Sequence, residues 1–75
     1  MKGLVYQNFH IVAIARLNEK TGYWLPSVRV SWRNAGEEQQ VEFQGPADRF
    51  KTQEEAENHA LSMGKQWIDN KTPLP

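Results

Sequence analysis

The 75-residue chain contains no cysteine, which excludes disulfide staples, a thiol nucleophile and cysteine-based zinc sites. It has two histidines, His10 and His59, too few for a histidine-built metal centre of three or four ligands. No apolar run approaches the ~20 residues of a membrane-spanning helix, and the first residues lack the long apolar core of a signal peptide. A soluble, cytoplasmic protein is expected. The five glycines stand singly, at positions 3, 22, 36, 45 and 64, so no glycine-rich phosphate loop exists. Nor is there an excess of either charge. The formal net charge is zero, which argues against a dedicated nucleic-acid binder.

The same scarcity extends to catalytic groupings. Ser27, Ser31 and Ser62 lie in no nucleophile elbow or other recognisable motif. The acid pairs Glu37-Glu38 and Glu54-Glu55 are adjacent in sequence, so their side chains diverge. Glu55 and His59, four apart, share a helix face, but no third ligand accompanies them. The sequence therefore predicts a non-enzyme with no catalytic, cofactor-binding or metal residues.

What the chain does have is a few large side chains in a polar background. Three Trp, three Phe and two Tyr accompany a mean hydropathy of −0.74. One small domain over residues 1–75 is expected, with an ordered core of about 6–69 and a flexible tail over 70–75. A chain of this size buries only about 60% of its unfolded surface, so the core must be thin and built on big residues.

The stretch from Phe50 to Ile68 organises the rest. Thr52 and Glu55 form a capping-box signature, and Glu54, Glu55 and Glu57 place negative charge in the first turn, where the helix dipole favours it. Ala56, Ala60, Met63, Gly64 and Trp67 recur at helical spacing. Their small members let the helix approach a sheet closely. Phe50 is placed to pack near Ala56 as a hydrophobic staple.

Upstream, the chain reads as strand. Met1 to Tyr6 reads as a loose lead-in, or as one in which Leu4, Val5 and Tyr6 start a strand. Phe9 to Leu17 is rich in β-branched residues, with Phe9, Ile11, Ala13, Ala15 and Leu17 on one face and His10, Val12, Ile14 and Arg16 on the other. The polar run 18–22 ends in Gly22 and reads as a hairpin loop. Tyr23 to Trp32 alternates, with Trp24, Pro26, Val28, Val30 and Trp32 inward and Ser27, Arg29 and Ser31 outward. Pro26 lacks an amide donor, which assigns the first half of that strand to an edge or a bulge. After a turn over 33–38, Gln39 to Gln44 is a short third strand with Val41 and Phe43 inward. The expected architecture is α+β: a three-stranded antiparallel meander with one C-terminal helix packed on one face, β-β-β-α.

Two functional readings follow from the face that the helix leaves open. It carries Arg16, Arg29, Arg33, Tyr23, Ser27 and Ser31, and Val12 and Ile14 put an apolar spot among them. Protein–protein association through this face or an edge strand, with an unidentified protein or with a second copy, is the leading reading. Weak nucleic-acid binding through the arginines is the alternative. Residues 1–34 carry a balance of +4 and residues 35–75 a balance of −4, an asymmetry that suits self-association.

Gly22-Tyr23-Trp24 entering the second strand, followed by the helix start Phe50-Lys51-Thr52-Gln53-Glu54-Glu55-Ala56, resembles HicB-type antitoxin domains. Those domains share a β-β-β-α layout similar to that of double-stranded-RNA-binding domains. The same stretch is similar to short, uncharacterised bacterial proteins of this length. The resemblance covers roughly residues 8–69 and implies the fold and a bacterial source. The chain departs from the HicB pattern in reading Pro26-Ser27-Val28-Arg29 where a Pro-Asp-Leu-Pro-Gly-like segment is typical. It also has Glu54, Glu55 and Glu57 where RNA-binding members of the wider fold carry lysines. The resemblance thus implies no toxin partner.

Overall fold

Two tight turns set the sheet. In the computed structural model, which describes residues 2–71, β1 (Lys2–Tyr6) passes into β2 (Phe9–Leu17) through Gln7 and Asn8, with φ of 50° and 69°. β3 (Trp24–Asn34) passes into β4 (Glu37–Gln44) through Ala35 and Gly36, with φ of 53° and 81°. Positive φ at both central residues matches the right-handed twist of paired strands, so each hairpin closes with two residues. Between β2 and β3 the Asn18 carbonyl accepts from the amides of Thr21 and Gly22 at 3.2 and 2.8 Å. The sheet is antiparallel in the order β1-β2-β3-β4, and α1 (Gln53–Lys71) follows it.

The α+β class and the C-terminal helix are as the sequence predicts, but the strands number four. The lead-in over 2–6 is a paired strand, from Lys2 opposite Ala13 to Tyr6 opposite Phe9. It is tied to the helix as well as to β2. Lys2 Nζ donates to Asn58 Oδ1 at 2.6 Å, and the Tyr6 hydroxyl and Gln7 Nε2 both donate to Asp69 Oδ1, at 2.9 and 3.1 Å. A paired strand thus precedes residue 6. At the other end Asn70 and Lys71 belong to the helix, while 72–75, the rest of the expected tail, lie outside the described residues.

Pro26 stands in an inner strand and is buried, but on the β4 side the first half of β3 is an edge that β4 leaves unpaired, as its missing donor predicts. Two features make this possible. β4 ends opposite Ser27, one residue short of Pro26, so no ladder amide is required there. The Pro26 carbonyl still accepts from Gly45 at 2.9 Å, and the Trp24 amide from the same side donates to the Phe50 carbonyl at 2.7 Å. The segment between β4 and α1 thus takes over the side that the proline leaves without a donor.

The helix starts at its cap. The Glu55 amide donates to Thr52 Oγ1 at 3.2 Å, and the Thr52 hydroxyl donates to Glu55 Oε1 at 3.0 Å. The reciprocal contact thus runs to the hydroxyl of Thr52 rather than to its amide. Phe50 lies against His59, ring centres 4.8 Å apart.

α1 packs mainly across β2 and β3. Ala56, Ala60, Gly64 and Ile68, four apart, form its buried stripe, set over Ile11, Ala13, Val28 and Val30. Ile68 is among the largest fully buried side chains, a core role the sequence reading gave to Trp67. Trp67 is half-buried at the rim, where its ring meets Phe9, Trp32 and Phe43 at centre distances of 6.4, 5.5 and 6.4 Å. Trp24, Trp32, Val41, Phe43, Phe50 and Met63 are likewise half-buried. Leu17, assigned inward by alternation, is 47% exposed because it lies at the end of β2.

Candidate interaction face

The helix covers one side of the sheet and leaves the other open. Register places the residues of that open side in rows. One row runs Gly3, Val12, Arg29, Glu42, and the next runs Val5, His10, Ser31, Gln40. On the other side of the first row lie Ile14, Ser27 and Gln44, then Arg16 and Leu25. At the far end Arg33 stands opposite Glu38.

Val12 and Ile14 are neighbours on β2, and Leu25 is diagonal to Ile14 across the β2–β3 ladder. All three are half-buried with no helix above them. Val5, diagonal to Val12, is 62% exposed. These four make one apolar strip across β1, β2 and β3. The expected spot at Val12 and Ile14 is thus larger than two residues. Leu25 has the right parity in the sequence, but the place of Val5 depends on the register of β1 against β2, which the sequence does not give.

The three arginines do not cluster. Arg16 is level with Leu25, eight residues along the ladder from Arg33, or about 26 Å at roughly 3.3 Å per residue. Arg29, midway, is engaged: its Nε donates to Glu42 Oε1 at 2.6 Å. Ser27 and Ser31 alternate with Arg29 on the same face, whereas Tyr23 belongs to the loop before β3 and is half-buried there. Its amide donates to Thr21 Oγ1 at 3.3 Å, which holds the loop and not the face.

Two hollows indent this side. One of about 270 Å³ is lined by Asn8, His10, Ser31, Trp32, Arg33 and Glu38. The other, of about 340 Å³, is lined by Ser27, Glu42, Phe43 and Gln44 at the β4 edge. Ligand pockets commonly hold about 300–1,000 Å³, so the first falls just below that range and the second at its small end. Among the described residues no three His, Asp or Glu side chains are grouped to hold a metal ion, and no helix is long and apolar enough to cross a membrane.

The face belongs to a recognised domain type. Residues 2–75 match the family described as a domain of unknown function (DUF6566), and the chain belongs to that family. The match brings no activity with it, and no tie to the HicB-type antitoxins or to double-stranded-RNA-binding domains. No curated protein and no solved structure matches the chain.

Proposed function

We propose that the protein is a non-catalytic interaction module that binds another polypeptide through its open sheet face. The observation that carries this reading is the strip of Val5, Val12, Ile14 and Leu25, contiguous on a face that no described element covers. An antiparallel sheet with one side in water ordinarily alternates apolar-in with polar-out, and β2 breaks that rule at two successive outward positions. Polar groups ring the strip, with Arg16, Arg29, Ser27 and Ser31 giving orientation, as rims do around apolar interface centres.

The test compares wild type with Ile14→Lys, a change at an outward position that leaves the helix side untouched. Crosslinking in cell extract, followed by mass measurement of the adducts, is expected to give wild type a discrete partner band that Ile14→Lys loses while its thermal melt stays put. Equal adducts from the two proteins would reject the face as the binding surface. An oligonucleotide pool that shifts the protein at low salt, with Arg16→Gln and Arg33→Gln abolishing the shift, would replace this reading with a nucleic-acid one.

A further inference from the structure

The sheet has two edges, and they are built differently. β4 carries Glu37, Glu38 and Glu42 within eight residues, and charge of one sign along an edge deters another strand from pairing with it. β1, at the opposite edge, reads Lys-Gly-Leu-Val-Tyr. It has no proline and no acid, and Lys2, its one charge, is drawn off to Asn58 on the helix. Tyr6 is likewise turned to Asp69. Among the described residues no backbone hydrogen bond reaches the outer side of β1. What this edge presents is a row of bare peptide groups, with Leu4 37% and Val5 62% exposed.

The same five residues are complementary to themselves. Gly3 and Val5 both point to the open face, two residues apart. A side chain at Gly3 would meet nothing closer than the Ile11 carbonyl oxygen at 3.9 Å, so the space above Gly3 is an empty notch. If a second β1 lies antiparallel beside the first, with a two-fold axis at Leu4, each Val5 falls opposite the partner's Gly3. The most exposed apolar side chain of the strand then meets the one position with none, while Leu4 meets its own copy and Lys2 stands opposite Tyr6. No like charges are brought face to face, which cannot be said of β4 against β4.

Resting on the reading of the protein as an interaction module, we infer that its β1 edge pairs with the β1 edge of a second copy, making a continuous eight-stranded sheet. Both helices then lie on one side. The two apolar strips join across the axis through Val5, so the dimer doubles the open face available to a further partner. A five-residue edge is a small contact, and the dimer is expected to be reversible, half-formed at about 10–100 μM.

Because the chain has no cysteine, one introduced thiol reports the pairing directly. Leu4 sits on the proposed axis, where directly opposed antiparallel residues have Cα atoms about 4.5–5.5 Å apart, within disulfide reach. The experiment oxidises Leu4→Cys and Gln40→Cys, the latter on the β4 edge, under the same diamide treatment, and measures the mass of wild type and Val5→Lys by light scattering up to about 1 mM. The expected result is rapid disulfide dimer for Leu4→Cys and slow, collisional crosslinking for Gln40→Cys. Wild type should rise towards twice its 8.7 kDa with concentration, and Val5→Lys should need about tenfold more protein. One-chain mass for wild type throughout, or equal crosslinking rates for the two thiols, would overturn the inference. Either result leaves the open-face reading standing, since that is judged by Ile14→Lys and its partner band.

Discussion

Gly64 of the helix is pressed against Ile11 of β2. A Cβ at position 64 would stand 2.9 Å from Ile11 Cγ2 and 3.2 Å from Val28 Cγ2. In an exposed helix, replacing glycine by alanine adds about 1 kcal/mol of stability. Here the added methyl must displace a β-branched side chain with one stiff χ1 angle, and overpacking of this kind costs about 1–3 kcal/mol. Packing wins. Gly64→Ala is expected to lower the unfolding free energy by up to about 2 kcal/mol in urea titration, with Gly64→Val worse. A more stable Gly64→Ala would mean that the helix can lift off the sheet at little cost.

That contact marks how far the sequence could be read. The small-residue stripe of Ala56, Ala60 and Gly64 is legible because glycine in a helix interior needs a packing reason, and the helix start is legible at Thr52 and Glu55. Ile68 was not singled out. It continues the same four-residue repeat, but Trp67 beside it is larger and drew the assignment, although a close-packed helix leaves no room under Gly64 for an indole. β1 is only partly legible, as a strand start at Leu4, Val5 and Tyr6, for another reason. It is five residues long with a glycine in it, and its hairpin depends on positive φ at Gln7 and Asn8, a conformation glutamine does not advertise. On the open face, parity placed Arg29 and Ser31 correctly. The pairing of Arg29 with Glu42 depends on register, and register is set by a two-residue turn at Ala35-Gly36 inside what reads as a six-residue loop.

Trp67 should matter more than its half-exposure suggests. Its ring touches Phe9, Trp32 and Phe43, from three strands, and Lys71 Nζ lies 4.4 Å from the Trp32 ring centre and 4.9 Å from that of Trp67. Trp67→Ala is expected to cost about 3 kcal/mol, the usual loss for truncating a packed aromatic. Lys71→Ala should cost about 0.5 kcal/mol, since an exposed ammonium over a ring contributes little. Urea midpoints for the two variants check both figures. Equal losses would show that the rim aromatics hold together without Trp67 at their centre.

Stability should fall in acid in a way traceable to Glu57. This carboxylate is buried on the sheet side of the helix and accepts from Gln53 Nε2 at 3.2 Å. Hydrogen bonding holds it below the ordinary value of 4.5, with Gln53 Nε2 among its donors and the charge of Lys2 adding to the lowering, while burial pushes the other way. A carboxyl whose pKa is lower in the folded state contributes stability above its unfolded pKa and loses it as pH falls through the folded value. Glu57→Gln should therefore be less stable than wild type near neutrality, and the gap should close as pH drops below about 4.5. Paired thermal melts from pH ~7 to pH ~3 measure it. A gap that stays constant with pH would assign the loss to packing instead of charge.

Glu42 is predicted to keep the open face from binding phosphate. The Arg29–Glu42 pair is about half exposed on both sides, so its own contribution to stability is small, about 0–1 kcal/mol. Its effect on recognition is larger, because it neutralises the one arginine central to the sheet. Glu42→Gln keeps the side-chain shape and frees Arg29 to act with Arg16, while Arg33 keeps Glu38 opposite it. The variant should melt within a few degrees of wild type. It should also acquire weak binding to oligothymidylate at about 20 mM salt, gone by about 200 mM, as counterion release through a few phosphate contacts requires. Fluorescence anisotropy with a labelled oligomer follows both proteins side by side. If wild type binds as well as Glu42→Gln, the carboxylate does not guard the face, and Arg16 and Arg33 alone suffice to hold a phosphate backbone. If neither binds at any salt, the separation of about 26 Å between Arg16 and Arg33 leaves too little local charge even with Arg29 released.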